Sequence, residues 1–297
     1  MARTRGAAID WPIRRACRMV SVAMPEGDTI HRIAARVAPA LTGKVIERVT
    51  TQGLVRDLAG RTVRTVEAHG KHLVVELDDG THLRVHLGMN GRFRLYSRAE
   101  GAAILARTSP GRASLVVATA EHLFVWLTAP TVEISHRRAP RHGMAVASLG
   151  PDILTDSFNL GAAARAADQD PRRIAEVLLD QRIAAGIGNV YKCEALFAAG
   201  IDPRTPVRAL ALTQLEQVYA IARTQMLANL GPGPRTTRAQ LAGTPPSADR
   251  YFVYSRTGKP CVRCGTAIEC YSLGEPARWT WSCPRCQPMP HLVGDAT

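Results

Sequence analysis

Two short cysteine pairs restrict what this chain can fold into more than any other feature. Cys261-Val262-Arg263-Cys264 and Cys283-Pro284-Arg285-Cys286 lie near the C-terminus, with residues 265–282 between them. Two thiolates separated by two residues can grip one metal ion from a tight turn. Two such turns complete a tetrahedral four-sulfur shell with no open position. The spacing therefore predicts one structural Zn2+ held by Cys261, Cys264, Cys283 and Cys286. Unrelated redox or free-thiol pairs are the alternative; a single Cys-x-x-Cys would leave it standing, but the paired spacing argues against it. Cysteines used as metal ligands also point to a reducing, cytoplasmic compartment rather than a disulfide scaffold. Cys17, Cys193 and Cys270 receive no role.

The metal loop carries basic and aromatic side chains. Alternation around Trp279 and Trp281 predicts a β-hairpin, with Arg278 near its tip and Arg263 and Arg285 inside the cysteine knuckles. A basic hairpin suits a phosphate backbone, although each arginine alone also fits a solvated surface. The whole chain leans the same way: 38 Lys+Arg oppose 25 Asp+Glu, for a net charge of +13 and a pI near 10.0. That balance implies a polyanionic partner. At 297 residues and 46% hydrophobic content the chain can build two domains. No apolar run is long enough to span a membrane, and no segment has the parts of a secretory signal.

The expected class is α+β, with an N-terminal helix, an antiparallel β-sandwich, a helical domain and a C-terminal zinc hairpin. Residues 1–23 form a basic extension, with Arg3, Arg5, Arg14, Arg15 and Arg18 against Asp10 alone. Residues 24–140 read as the sandwich domain, 141–247 as a helical domain with a linker, and 248–290 as the finger. From Pro25, Ile30, Ile33, Ala34, Val37 and Leu41 recur at helical spacing, and Gly43 ends the run. Alternating runs follow at 44–50, 62–68, 72–77, 82–87, 91–96, 113–119 and 122–127. The basic segment His136–His142 marks a boundary. From Leu149 the pattern turns helical. Pro171 is expected in the first turn of a helix through Ile174, Val177, Leu178 and Leu179. A second helix passes through Val190, Leu196 and Phe197, and a third covers 213–227. Gly231–Ser247 reads as a linker or mobile loop.

Gly186-Ile187-Gly188-Asn189 sits between the first two of these helices. Its glycines permit positive φ and close backbone approach, and the helix that follows offers N–H groups to a phosphate. Gly188, Asn189 and Lys192 are the candidate contacts. An ordinary turn between helices fits Gly-x-Gly by itself equally well.

Several stretches, in order, resemble the formamidopyrimidine-DNA glycosylase/endonuclease VIII family of base-excision repair enzymes. They are Met24-Pro25-Glu26-Gly27-Asp28-Thr29, His69-Gly70-Lys71-His72-Leu73 and His86-Leu87-Gly88-Met89-Asn90-Gly91. Gln181 to Tyr191 is similar to that family's helix-two-turns-helix motif, and Tyr254 to Cys261 leads into the finger as it does there. Together they cover the chain from Pro25 to Cys286.

The resemblance implies a bifunctional DNA glycosylase/AP lyase acting as a monomer on damaged DNA, duplex or single-stranded, at the bacterial nucleoid. The family's nucleophile is an N-terminal proline that attacks C1′, forms a Schiff base and cleaves the strand by β- and δ-elimination. A free α-amine with a pKa near ~8 is partly neutral at physiological pH. An amide nitrogen is neither basic nor nucleophilic. Pro25 can serve only if the working protein starts at Met24 and loses it. If Met1 is the true start, Pro25 is a helix-initiating proline in a non-catalytic DNA binder.

By the same resemblance Glu26 is the acid/base, and Lys71 stabilises the departing base or phosphate. Arg278 clamps phosphates flanking the lesion, Asn189 holds a neighbouring phosphate, and Met89 is the wedge that fills the emptied stack. Ordinary core packing competes for Met89. The Pro-Glu-Gly start, and the lack of an Asp-Pro-Arg-Arg-Phe wedge around 119–124, point to the endonuclease VIII-like branch and oxidised pyrimidines. An oxidised-purine preference and an RNA-binding zinc ribbon are the remaining readings.

Overall fold

The computed structural model describes residues 24–108, 110–136, 144–238 and 249–289. The basic extension, most of the His136–His142 boundary and the second half of the linker lie outside the described residues.

Helix α1 (Gly27–Leu41) buries Ile30, Ala34, Val37 and Leu41, the stripe its sequence spacing predicts. It packs into a β-sandwich whose strands pair antiparallel. One sheet runs β2 (Leu54–Arg56), β1 (Arg48–Thr51), β7 (Ala113–Ala118), β8 (His122–Leu127), β6 (Arg92–Ser97). The other runs β3 (Val63–His69), β4 (His72–Leu77), β5 (Thr81–His86), β9 (Thr131–His136). Alternate residues of the facing strands, among them Leu73, Val75, Leu83, Val85, Leu115, Val117, Phe124 and Trp126, fill the core with α1.

Three elements were not expected from the pattern. Strand β2 is only three residues long, and β9 alternates (Thr-Val-Glu-Ile-Ser-His) but runs straight into the basic segment that was read as a boundary. Helix α2 (Arg98–Ala106), capped by Ser97 and Glu100, covers the outer face of β7 and β8. That cover explains why every residue of β7 is buried. A Cβ on Gly101 would come within 2.5 Å of the Leu123 side chain, so the close approach of α2 to β8 requires glycine there.

The helical domain comprises α3 (Met144–Ala147), α4 (Leu160–Asp168), α5 (Ile174–Val177), α6 (Asn189–Ala199) and α7 (Leu212–Leu227). The expected helix starting at Pro171 is shorter and later than its pattern suggested. Arg173 is still extended and bridged to Pro206, and α5 is a single turn whose first amides bond to Thr205 and Pro203 carbonyls. Helix α6 is buried on all sides. One side joins the helical core through Tyr191, Ala195 and Leu196, and the other carries Val190, Cys193 and Phe197 to the finger.

The finger is a hairpin of β10 (Glu269–Leu273) and β11 (Arg278–Ser282), with Leu273 opposite Arg278. Fully buried Trp281 packs against α6 and donates to Thr257 Oγ1 at 2.9 Å. Gln287 donates to the Ile201 carbonyl at 2.8 Å, locking the second knuckle onto the helical domain.

Candidate active site

The start of α1 meets the start of α6. Glu26 is 0% exposed, and its carboxylate accepts the backbone N–H groups of Gly188 (3.1 Å), Val190 (2.7 Å) and Tyr191 (3.4 Å). Unpaired amides and the positive dipole end make a helix N-terminus an anion site. Here the anion is the protein's own carboxylate. A Cβ on Gly188 would stand 2.3 Å from Glu26 Cδ, and Gly186 holds φ +114° beside Gly27. The glycines of this turn thus admit Glu26 and α1. Their amides are occupied from within, which corrects the expectation that Gly188 offers its N–H to a phosphate. Burial pushes the Glu26 carboxyl above its ordinary range, against the pull of Arg235, Lys71 and the Val190 amide.

Lys71 occupies the β3–β4 turn and donates to the Ile187 carbonyl, bringing its ammonium to the same corner. Burial pushes it down to about 8, offset in part by Glu26 and reinforced by Arg278 and Arg235. Asp152 fixes the turn: it is 3% exposed and accepts from the Gly70 amide at 2.7 Å, from His31 Nε2 at 2.8 Å and from the Leu154 amide at 2.8 Å. One carboxylate therefore joins the hairpin, α1 and the helical domain. Sequence reading passed over it because a lone aspartate after a proline looks like turn chemistry.

On the far side of α6, Asn189 Nδ2 donates to the Trp279 carbonyl at 2.8 Å, while its Oδ1 accepts from Lys192 Nζ at 2.7 Å. Lys192 also donates to Thr280 Oγ1 at 2.8 Å and is only 1% exposed. This corrects the expectation that Lys192 faces a ligand: its ammonium bridges α6 to β11, the strand that begins with Arg278. Arg278 itself is exposed. It helps line a cavity of about 200 Å3 with Lys192, Arg172, Glu176 and Asp180. Met89 is 48% exposed on the β5–β6 turn, so it is not a core residue.

Arg235 was missed altogether, because its Pro- and Gly-rich surroundings read as a linker. Its side chain is 7% exposed. Nε and Nη2 bond to the Asp28 carboxylate (2.8 and 2.5 Å), Nη2 also reaches Thr29 Oγ1 (2.7 Å), and Nη1 donates to the Met24 carbonyl (2.8 Å). The guanidinium lies over the Tyr191 ring, 5.3 Å from its centroid. The residues just before Met24 lie outside the described part, but Pro25 itself is half-buried beside this arrangement.

The four finger cysteines place their sulfurs within 4.8 Å of one another, with Cys264–Cys283 at 3.5 Å and Cys261–Cys286 at 3.9 Å. Sulfurs about 2.3 Å from a tetrahedral ion would be just under 4 Å apart. The Arg263 and Cys286 amides donate to Cys261 and Cys283 Sγ at 3.4 Å, as suits thiolates. The four together could bind one metal ion.

A family model of the formamidopyrimidine-DNA glycosylase N-terminal domain matches residues 24–129, and one of that glycosylase's H2TH domain matches 149–239. The chain belongs to the formamidopyrimidine-DNA glycosylase family. It is thereby an enzyme of the DNA glycosylase and AP lyase class. The chain is 35% identical over 278 residues to a probable endonuclease 8 2 of Streptomyces coelicolor, spanning 90% of this chain and 95% of that one. It is 35% identical over 268 residues to the DNA-(apurinic or apyrimidinic site) lyase Nei2 of Mycolicibacterium smegmatis, spanning 89% and 99%. The crystal structure of MutM (Fpg) from Thermus thermophilus superposes with a TM-score of 0.71 at 28% identity, covering 90% of this chain and all of that one. No helix among the described residues is long and apolar enough to cross a membrane.

Proposed function

We propose that this member of the family removes oxidised bases from damaged DNA, pyrimidines in preference, as a monomer. It then cleaves the strand through a Schiff base on Pro25. The carrying observation is the convergence of Pro25, the Glu26 carboxyl and the Lys71 ammonium where α1 meets α6, within electrostatic reach of Arg278. The family match beginning at Met24 supports a working N-terminus at Pro25. Two relatives carry endonuclease 8 or AP-lyase names, and solved neighbours include a Lactococcus lactis Fpg complex with Fapy-dG DNA, which supports damaged DNA as the substrate.

In this reading the free amine of Pro25 attacks C1′ of a nucleotide turned out of the duplex, and the base leaves with the bonding pair. Glu26 moves protons between the sugar and the leaving groups, aided by a carboxyl that burial holds above its ordinary range. Lys71 and Arg278 offset phosphate charge, Asn189 orients the α6 end of the site, and exposed Met89 fills the vacated stack. The cysteine set fits Zn2+, which when bound cross-links the finger that carries Arg278 and takes no part in bond making.

Borohydride trapping on abasic-site DNA tests the reading with two proteins, one starting at Met1 and one at Pro25. A covalent adduct from the second alone is expected. A folded, zinc-loaded protein starting at Pro25 that yields no adduct would sink the lyase mechanism and leave a non-catalytic damage binder. Comparing thymine glycol with 8-oxoguanine excision tests the pyrimidine preference.

A further inference from the structure

The guanidinium of Arg235 spends Nε and Nη2 on Asp28 and Thr29 and aims Nη1 at the carbonyl of Met24. That carbonyl is bonded to the Pro25 nitrogen. The amide carbon of Met24 therefore holds the place that C1′ of the sugar takes once the nitrogen is free and has reacted. The carbonyl oxygen holds the place of an oxygen on that carbon. After the base has left, the oxygen borne by C1′ is O4′. Removal of Met24 takes away the partner of Nη1 and leaves a buried, rigidly held donor within about 5 Å of the nucleophilic nitrogen, given standard amide bond lengths.

We infer that Arg235 is a further active-site residue, whose Nη1 donates a hydrogen bond to the sugar O4′ as the C1′–O4′ bond opens. The inference rests on the Schiff-base reading of Pro25. In the step concerned, the nitrogen lone pair forms the C1′=N+ bond and the C1′–O4′ pair moves onto O4′. The proton that O4′ takes up comes from the Glu26 carboxyl. Arg235 stays protonated throughout and stabilises the charge growing on O4′. Such a donor acts because it is fixed before the reaction, and the Asp28 fork, the Thr29 hydroxyl and the Tyr191 ring supply that fixation.

The test uses full-length enzyme processed to Pro25, as wild type, Arg235→Gln, Arg235→Lys and the double variant Asp28→Asn/Arg235→Gln. The double variant leaves no unpaired buried charge. Borohydride trapping rates are measured on a natural abasic site, whose sugar is ring-closed, and on an oligonucleotide carrying an open-chain aldehyde instead. Affinity for a tetrahydrofuran abasic analogue and zinc content report on folding and docking. Arg235→Gln and the double variant are expected to trap the natural site about a hundredfold more slowly, on the scale of losing one fixed donor. They should retain near-wild-type rates on the open-chain aldehyde and near-wild-type analogue affinity. Arg235→Lys keeps the charge without the fork and should fall between; it carries the comparison if the neutral variants lose their fold. Equal slowing on both aldehydes, or no slowing on the natural site, overturns the inference. Wild type that traps neither aldehyde instead refutes the Schiff-base reading beneath it.

Discussion

Glu26→Gln separates the two duties of that residue, because the structure sets the size of one of them. The carboxylate receives three amides at the head of α6, two on Oε2 and one on Oε1. Glutamine has one acceptor oxygen. Its best orientation keeps Val190 and turns an NH2 group toward the Gly188 and Tyr191 N–H groups, donor against donor. Charge-assisted bonds to a buried group contribute about 1.5–3 kcal/mol each. The 3.4 Å bond is weak, and losing the charge removes a desolvation cost, so a net loss of about 3 kcal/mol is reasonable on that scale. For a chain of this size it corresponds to roughly 6–12 °C in Tm. Scanning calorimetry of zinc-loaded protein measures it. The same substitution removes the main influence holding the Lys71 ammonium up, so Lys71 should titrate below about 8. A variant that loses trapping activity but less than about 2 °C in Tm would refute the claim that Glu26 anchors α6.

Other outcomes follow from the same contacts. Burial depresses Lys71 in the folded state to about 8 from 10.5, so the buried ammonium costs stability at low pH and the cost fades as pH rises through that window. Wild type should therefore gain Tm relative to Lys71→Met between about pH 8 and 10, and a flat difference would refute the burial. Gly188→Ala forces a Cβ to 2.3 Å from Glu26 Cδ and should cost several °C and most of the activity; unchanged thermal unfolding would show that α1 and α6 are not packed this closely. Chelation or Cys264→Ser should release the finger, exposing Trp281, and weaken abasic-analogue binding at least tenfold. Tryptophan fluorescence and affinity unaffected by metal loss would refute the cross-linking role.

The sequence showed most clearly what depends on local spacing. The α1 stripe, seven of the sandwich strands, the hairpin around Trp281 and the cysteine tetrad all follow from periodicity or spacing, since each signal is contained in a short stretch of sequence. Helix α2 lacked a signal, because an alanine-rich stretch covering the back of a sheet has no apolar stripe. Asp152 and Lys192 are polar residues whose partners lie far along the chain, at Gly70 and His31 and at Thr280. No pattern in one sequence marks such a pairing. Lys192 shows the hazard most directly: one turn into a helix after a glycine turn it reads as a phosphate contact, yet the fold buries it to bind the finger.

That burial bears on how the site is assembled. Pro25 and Glu26 come from the sandwich domain, the amides that receive Glu26 come from α6, and Arg278 comes from a finger tied to α6 by Lys192 and Asn189. The proposed catalytic groups thus come from both the sandwich and the helical side, which are joined by contacts of Glu26, Gly27, Asp152, Lys71 and Arg235. The most buried carboxylate in the site therefore also links α1 to α6, so on the proposed reading the group that moves protons is held by the same three hydrogen bonds that join those helices. Arg235 ties the start of α1 to the segment that leads from α7 to the finger. On the proposed reading, the Asp28 pairing that survives loss of Met24 keeps the Arg235 guanidinium beside the Pro25 nitrogen.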